Sequence, residues 1–497
     1  MPALFTACEA LIEVNARKAA RRETLAMDSA STSIPTPAAD WTFDTDLLRR
    51  YDGPGPRYTS YPTAPSFDPA FGEDGYRRAV ARGNVRATPL SLYVHVPFCN
   101  SPCFYCGCNR VVTRDNTRGL DYVDRLLREV AMVAPLFDRG RQVVQLHLGG
   151  GTPNFLRPAL LERLVDGLGR RFGFSATPGR DFSIELDPRH VTADDIAMLS
   201  AIGFNRTSLG VQDFDPAVQL AINREQGVDD TLEIIDACRR YGMRSVNVDL
   251  IYGLPKQTLS GFSHTLDTVV AARPDRLAIY GYAHMPQLFR AQRQIRDEDL
   301  PGPEGRLALL GMAVERLSAA GYEYIGMDHF ALPDDALARA RREGGLHRNF
   351  MGYTTHADTD LVGLGVSAIS RIGDSFSQNQ RDLTAWEAMV DAGRQPLWRG
   401  LCMDADDLLR ADVIQQLMCR GEIDIGDIER RHGIAFPAYF SDALAALQPL
   451  QADGLVDCCG DRIVATARGR ALLRVIAMRF DRYLATPTGQ GGYSRAV

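Results

Sequence analysis

The sequence predicts an α/β fold. A partial (β/α) barrel of about six βα units follows an N-terminal extension and precedes a mostly helical, winged-helix-like C-terminal domain. Three observations carry that expectation. Between residues 90 and 290, short β-rich runs alternate with stretches whose apolar positions recur at helical spacing, the pattern of parallel strands with helices outside. Polar or glycine-rich residues recur just after those runs, as on the active-site face of a barrel. Four of the ten cysteines fall at 99, 103, 106 and 108, directly after the first run.

The runs come in order. Ser91–Phe98 is apolar and β-rich, and Leu120–Phe137 shows helical periodicity. Val143–Leu148 precedes the helical Ala159–Phe172, and Asp181–Leu186, Arg206–Val211, Ser245–Ile251 and Arg276–Tyr282 are further strands. Helical segments lie between them, among them Asp229–Tyr241 and Leu259–Ala272. Glu304–Ala320 is an amphipathic helix and Tyr322–Phe330 a last strand, after which Gly344–Gly373 reads as a glycine-rich loop region. Ala405–Arg420, Ile425–Gly433, Phe436–Ala452 and Ala467–Phe480 read as helices, with a hairpin at Gly454–Ala465 turning at Gly460-Asp461. The division expected is a disordered or low-complexity extension at 1–46, or sequence upstream of a start at Met27. An arm then spans 47–90, the barrel and its following segment 91–370, and the C-terminal helical domain 371–497.

Composition excludes several classes. With 56 Lys and Arg against 62 Asp and Glu, the net charge of −6 offers no basic footprint for nucleic acid. No eighteen-residue apolar run calls for a membrane span, and the first thirty residues lack the apolar stretch of a secretory signal. Ten cysteines in 497 residues are too few for a disulfide scaffold. The expectation is a cytoplasmic monomer.

The strongest chemical signal is Cys99-x-x-x-Cys103-x-x-Cys106. Three thiolates at these gaps on a tight loop can each reach a different iron of a cubane and leave one iron open. A zinc site completed by Cys108 is the competing reading, although ligands as close as Cys106 and Cys108 strain a closed tetrahedron. Gly149-Gly150-Gly151-Thr152 after the second strand is either an ordinary βα turn or a place where side-chain-free backbone approaches a ligand. Gly363-x-Gly365-x-x-Ala368 is a weak dinucleotide fingerprint with no βαβ unit behind it.

These residues resemble the radical S-adenosylmethionine (SAM) superfamily. Within it, the string from His95 to Cys108 resembles the oxygen-independent coproporphyrinogen III oxidase family. Further matching blocks run in order from Leu47 to the C-terminus: 55–62, 149–153, 185–188, 210–214, 223–226, 249–255, 282–284, 326–330 and 365–370. The resemblance implies a radical-SAM-type barrel, with one [4Fe–4S] cluster per chain held by Cys99, Cys103 and Cys106 and two SAM molecules per active site. It implies SAM contacts from Tyr93, Tyr105, Gly150, Gly151, Thr152, Glu185, Gln212, Arg224, Asp249, Ala283 and Ile369, and a place for Cys108 in the substrate cavity. The implied substrate is coproporphyrinogen III, two of whose propionates become vinyl groups, and the implied electron donor is a flavodoxin or ferredoxin. A related haem-trafficking protein is the alternative; Cys108 and the Arg57-Tyr58-Thr59-Ser60-Tyr61 stretch favour the enzyme. A DNA-binding winged-helix regulator is the other rival, and the acidic balance counts against it.

Overall fold

The computed structural model describes residues 44–485, 493 and 495; the predicted extension lies outside them up to residue 43. Twelve strands form one sheet: β1 (Leu90–Val96), β2 (Val143–Gly150), β3 (Asp181–Leu186), β4 (Arg206–Gln212), β5 (Ser245–Tyr252), β6 (Arg276–Gly281), β7 (Glu323–Gly326), β8 (His329–Ala331), β9 (Asp360–Leu364), β10 (Ile369–Ile372), β11 (Ser375–Asn379) and β12 (Leu397–Cys402). Their spatial order is β12-β11-β10-β9-β1-β2-β3-β4-β5-β6-β8-β7. Strands β1 to β6 are parallel neighbours in sequence order, as successive βα crossovers dictate. Buried residues on both faces of β1 follow from helices outside and packed side chains within.

The helices behave as their periodicity requires. In the helix Thr117–Val133, Tyr122, Leu126, Val130 and Val133 form the buried stripe. Thr192 opens the helix Ala193–Ile202 with a reciprocal capping box to Asp195.

Three local expectations are corrected. Tyr322–Phe330 is not one strand: Met327 takes a left-handed backbone (φ 52°), and the chain doubles back as the antiparallel pair β7 and β8. Gly344–Gly373 is not a loop region. It holds a short ribbon (His347–Asn349 with Gly352–Thr354) and the whole of β9 and β10. Strand β9 pairs in parallel with β1, so the first strand sits inside the sheet with β2 on its other side. The glycines that read as turn signals hid it: Gly363 lies mid-strand because a Cβ there would sit 2.5–2.8 Å from the Ile369 backbone. The expected helices Phe436–Ala452 and Ala467–Phe480 are each broken, the first at Phe440 and the second into 3-10 and α turns.

A salt bridge inside the protein anchors β9. Arg141 is 1% exposed and Asp360 7%, and the two side chains pair directly. Arg141 Nε also donates to Thr88 O (2.7 Å), while Asp360 Oδ1 accepts from Gly373 N (2.7 Å). After residue 403 the helices and a three-stranded wing (Glu422–Asp424, Val456–Cys459, Arg462–Ala465) enclose their own core around Phe436, Phe440 and Phe480. The arm ahead of the barrel contributes to that core with Leu47, Leu48, Tyr58 and Tyr61.

Asp360→Ala strands a buried guanidinium, so it is expected to lower unfolding free energy by about 3–5 kcal/mol. Urea or thermal denaturation against the wild type measures that loss, and an unchanged midpoint contradicts the anchoring role.

Candidate active site

The cysteine loop begins where β1 ends. Pro97 interrupts the strand, and Phe98–Cys99 then pairs with Val111–Val112, closing the loop like a clasp. Cys99 and Cys103 are both 8% exposed, and Cys106 is half-buried. Cys99 Sγ lies 3.3 Å from Thr152 Oγ1, and burial pushes its thiol up to about 11. Cys103 Sγ receives Arg224 Nη1 at 3.5 Å. Asp187 bridges Arg224 (3.2 Å) and Arg189 (2.7 Å); against the cost of burial, the two guanidinium groups hold its carboxyl down at about 2. Hydrogen bonding from Cys108, with the nearby Arg110 charge, holds the Cys106 thiol below its ordinary value, whereas the bond to Cys106 and the Cys106 charge hold Cys108 above it.

The glycine run is shaped by what surrounds it. A Cβ on Gly149 would meet the Glu185 carboxylate at 2.9 Å, and one on Gly150 (φ 121°) the His95 ring at 2.7 Å. One on Gly151 would meet the Pro97 and Phe98 backbone at 2.8 Å. Gly151 N donates to Val96 O and Thr152 N to Phe98 O, each at 2.8 Å, so the turn after β2 is sewn to the cysteine loop by backbone alone.

Around this seam the strand ends converge. Glu185 on β3 accepts from Gly150 N (3.1 Å) and lies 3.2 Å from His147 Nε2. Burial opposes its charge, but His147 and the Gly150 N–H hold the carboxyl below the usual range. Asp249 on β5 accepts from Ser208 (3.0 Å) and Asn247 (2.8 Å); burial, then the neighbouring Glu185 charge, push it up to about 6. Glu185, Asp249 and His147 line one polar cavity inside the barrel. Tyr93 on β1 stacks on His147 with centroids 5.9 Å apart and donates to His95 Nδ1 (3.0 Å), whose Nε2 faces Asn109 O. Gln212 ends β4 in a left-handed conformation (φ 68°). Tyr105 packs against the apolar cluster of Val218, Ile222, Leu254 and Tyr282, while Ile369 stands at the start of β10 against the Phe67–Phe376 cluster.

Several participants carried no sequence signal of their own. Gln292, 2% exposed, donates to both Tyr105 O (2.8 Å) and Ala283 O (3.1 Å), tying the cysteine loop to the end of β6. Arg189 likewise emerges only from packing. Asp213, the polar residue that follows Gln212 at the end of β4, turns into the core. It is fully buried and braces the loop after β5 through Gln257 and Thr265, each at 2.6 Å.

The donor set fits an iron–sulfur cluster better than a single ion. Among the described residues no three His, Cys, Asp or Glu side chains converge on one point, as a mononuclear zinc site requires. Thiolates that each bind a separate iron need no such convergence. Nε of both Arg110 and Arg224 is buried without a partner beside these thiols, the mark of an anionic group that belongs there.

Gly151→Ala forces a methyl onto immovable backbone, whereas Gly149→Ala meets only the end of a side chain. Gly151→Ala is expected to lose most iron on anaerobic reconstitution and at least about 1–3 kcal/mol of stability, with Gly149→Ala milder on both. Iron analysis and thermal melting of the pair check that ranking.

Comparison with known proteins agrees with this geometry. Residues 93–269 match the model of the radical SAM superfamily and residues 403–472 that of the HemN C-terminal domain. The oxygen-independent coproporphyrinogen III oxidase of Escherichia coli (strain K12) is 48% identical over 458 residues, covering 92% of this chain and 99% of that protein. That of Pseudomonas aeruginosa is 48% identical over 455 residues, again covering 92% and 99%. The solved structure of the Escherichia coli enzyme, described as a radical SAM enzyme, superposes with a TM-score of 0.85 across 90% of this chain and 99% of that one. With a cysteine loop sewn to a glycine turn and two carboxylates facing the same interior, this chain belongs to the oxygen-independent coproporphyrinogen III oxidase family of the radical SAM superfamily.

Proposed function

We propose that this chain converts two propionate side chains of coproporphyrinogen III to vinyl groups, giving protoporphyrinogen IX without oxygen. The observation that carries this reading is near-full-length similarity to oxidases of that name, combined with a three-thiol loop, two of its thiols buried, sewn to the glycine turn that holds Glu185. When bound, the [4Fe–4S] cluster and SAM supply one-electron chemistry that generates a 5′-deoxyadenosyl radical, able to abstract hydrogen from a propionate β-carbon. Loss of CO₂ from the substrate radical and transfer of its remaining electron to an external one-electron acceptor would then leave the vinyl group.

The chain's part is holding and shielding. Cys99, Cys103 and Cys106 would hold the cluster, with Arg224 and Arg110 set against its negative charge. Glu185, already accepting from Gly150 N, has the charge and position to receive the SAM amino group. Gln212, Asp249, Thr152 and Gly151 would complete that contact, with Tyr93, Ala283 and Ile369 around it. Tyr105, in its apolar cluster, would lie along the adenine. Burial of Cys99 and Cys103 keeps water from the reacting centre. A second SAM, a flavodoxin or ferredoxin as donor, and a monomer in the cytoplasm complete the reading; no helix of the described residues is long and apolar enough to cross a membrane.

The test is anaerobic incubation of reconstituted protein with SAM, reductant and coproporphyrinogen III, followed by product chromatography. Protoporphyrinogen IX with methionine and 5′-deoxyadenosine is the expected outcome, and SAM cleavage with no porphyrinogen product overturns the reading. About four irons and four sulfides per chain are expected, as one cubane requires. Alanine at Cys99, Cys103 or Cys106 should abolish the brown absorbance, while replacing Cys458 and Cys459 together should leave it.

Cys108 is exposed and donates its backbone N–H to Cys106 Sγ (3.4 Å), a place from which it would face substrate. Cys108→Ser is expected to keep its iron and bind SAM while decarboxylation falls more than tenfold, a barrier change above ~1.4 kcal/mol. Wild-type turnover would remove Cys108 from the mechanism, and loss of iron would make it a ligand.

A further inference from the structure

A second cavity, of about 560 Å³, lies between the residue 344–358 segment, β10, the arm and the first C-terminal helix. Its volume falls within the range of organic-ligand pockets, roughly 300–1,000 Å³. Arg348 lines it, is 4% exposed, and has both Nε and Nη1 buried with no hydrogen-bond partner among the described residues. No carboxylate among them pairs with Arg348. Of the two that line the cavity, Asp412 is held by Arg431 (2.7 Å) and His432 (2.9 Å), and Asp358 is exposed.

The guanidinium is nevertheless fixed. It stacks over Tyr353 at 4.7 Å, and its backbone is gripped by Gln415, whose amide is satisfied when its oxygen faces Arg348 N (2.6 Å) and His347 Nδ1 (2.9 Å). Arg371, on the strand that begins at Ile369, adds a second cation, bonded to His347 Nε2 at 3.3 Å. Phe350 and Phe376 form an aromatic wall beside them, edge to face at 5.8 Å. Tyr353 in turn lines the barrel cavity that holds Glu185 and Asp249, so the two spaces share a wall.

Burying a guanidinium with unsatisfied N–H groups is strongly unfavourable unless an anion completes it. An aromatic wall next to that cation suits a flat, apolar body carrying a carboxylate arm. We infer that Arg348, supported by Arg371, binds a propionate of coproporphyrinogen III that the reaction leaves intact, and so orients the macrocycle against the barrel mouth. This rests on the function proposed above. SAM also carries a carboxylate, and the experiment separates the two.

The test uses anaerobic holoenzyme of the wild type, R348Q and R348K. Fluorescence quenching gives Kd for coproporphyrin III and its tetramethyl ester, equilibrium dialysis gives Kd for SAM, and turnover gives KM and kcat. R348Q is expected to raise Kd for coproporphyrin III and KM for coproporphyrinogen III tenfold or more. The change in kcat should be smaller, R348K intermediate, and SAM affinity within twofold of the wild type. The wild type should bind the uncharged ester at least tenfold more weakly than the acid, a comparison that needs no variant to fold. Equal binding of acid and ester, an unshifted Kd and KM in R348Q, or a loss confined to SAM overturns the subsite while leaving the proposed function standing if the wild type still decarboxylates. Failure of the wild type to decarboxylate coproporphyrinogen III overturns both.

Discussion

The contact on which the site depends is backbone against backbone. Gly151 and Thr152 donate to Val96 O and Phe98 O, which leaves no room for a side chain between the turn after β2 and the loop carrying Cys99. Because β2 also delivers Gly150 N to Glu185, one close approach sets the cysteine loop and the carboxylate of a third strand in a common frame. A methyl group in that seam would move both at once. Rigid strands thus hold the reacting geometry, and the loop itself needs few contacts of its own.

Charge is arranged around that seam with the same economy. Cys103 faces Arg224, Arg224 and Arg189 share Asp187, and Asp187 opens the turn at Pro188 by capping Arg189 N. Asp187 thus holds both guanidinium groups by protein contacts on the side of the thiols, where their charge favours thiolate. Asp249 and Glu185 sit in the same interior with opposite displacements: Glu185 is held ionised by its donors, while burial and the Glu185 charge keep Asp249 closer to neutral.

The frame itself is closed from a distance. Strand β9, more than two hundred residues after β1, inserts beside it and is pinned by Arg141 to Asp360. A second buried carboxylate, Glu129, accepts from Gly365 N (2.9 Å), Asn379 (2.6 Å) and Trp386 (3.2 Å), fixing the turn between β9 and β10. Residues near the arm's start enter the C-terminal core, and Arg474 ties that domain to the arm at Pro56 O (3.1 Å). Long-range pairing of this kind brings the arm, the barrel and the C-terminal helices to the walls of the Arg348 cavity.

Local pattern alone was enough for the strands β1 to β6 and the helices between them, because alternation of β-rich runs with 3.6-residue periodicity is a property of neighbouring residues. The cysteine spacing and the glycine turn were legible for the same reason. Strand β9 was not: Gly363 and Gly365 read as turn residues, and only the crowding of Ile369 against Gly363 and of Tyr122 and His95 against Gly365 explains why they must be glycine. Gln292 was invisible because its partner Tyr105 lies 187 residues away, and Arg189 and Arg348 because burial, not neighbouring sequence, gives them their roles. Asp213, one residue from Gln212, shows the converse, since the left-handed turn at Gln212 sends it into the core. The sequence by itself determined which chemistry the chain can hold. Tertiary packing decided which polar groups face it, because burial and hydrogen-bond satisfaction are settled between elements and not within them.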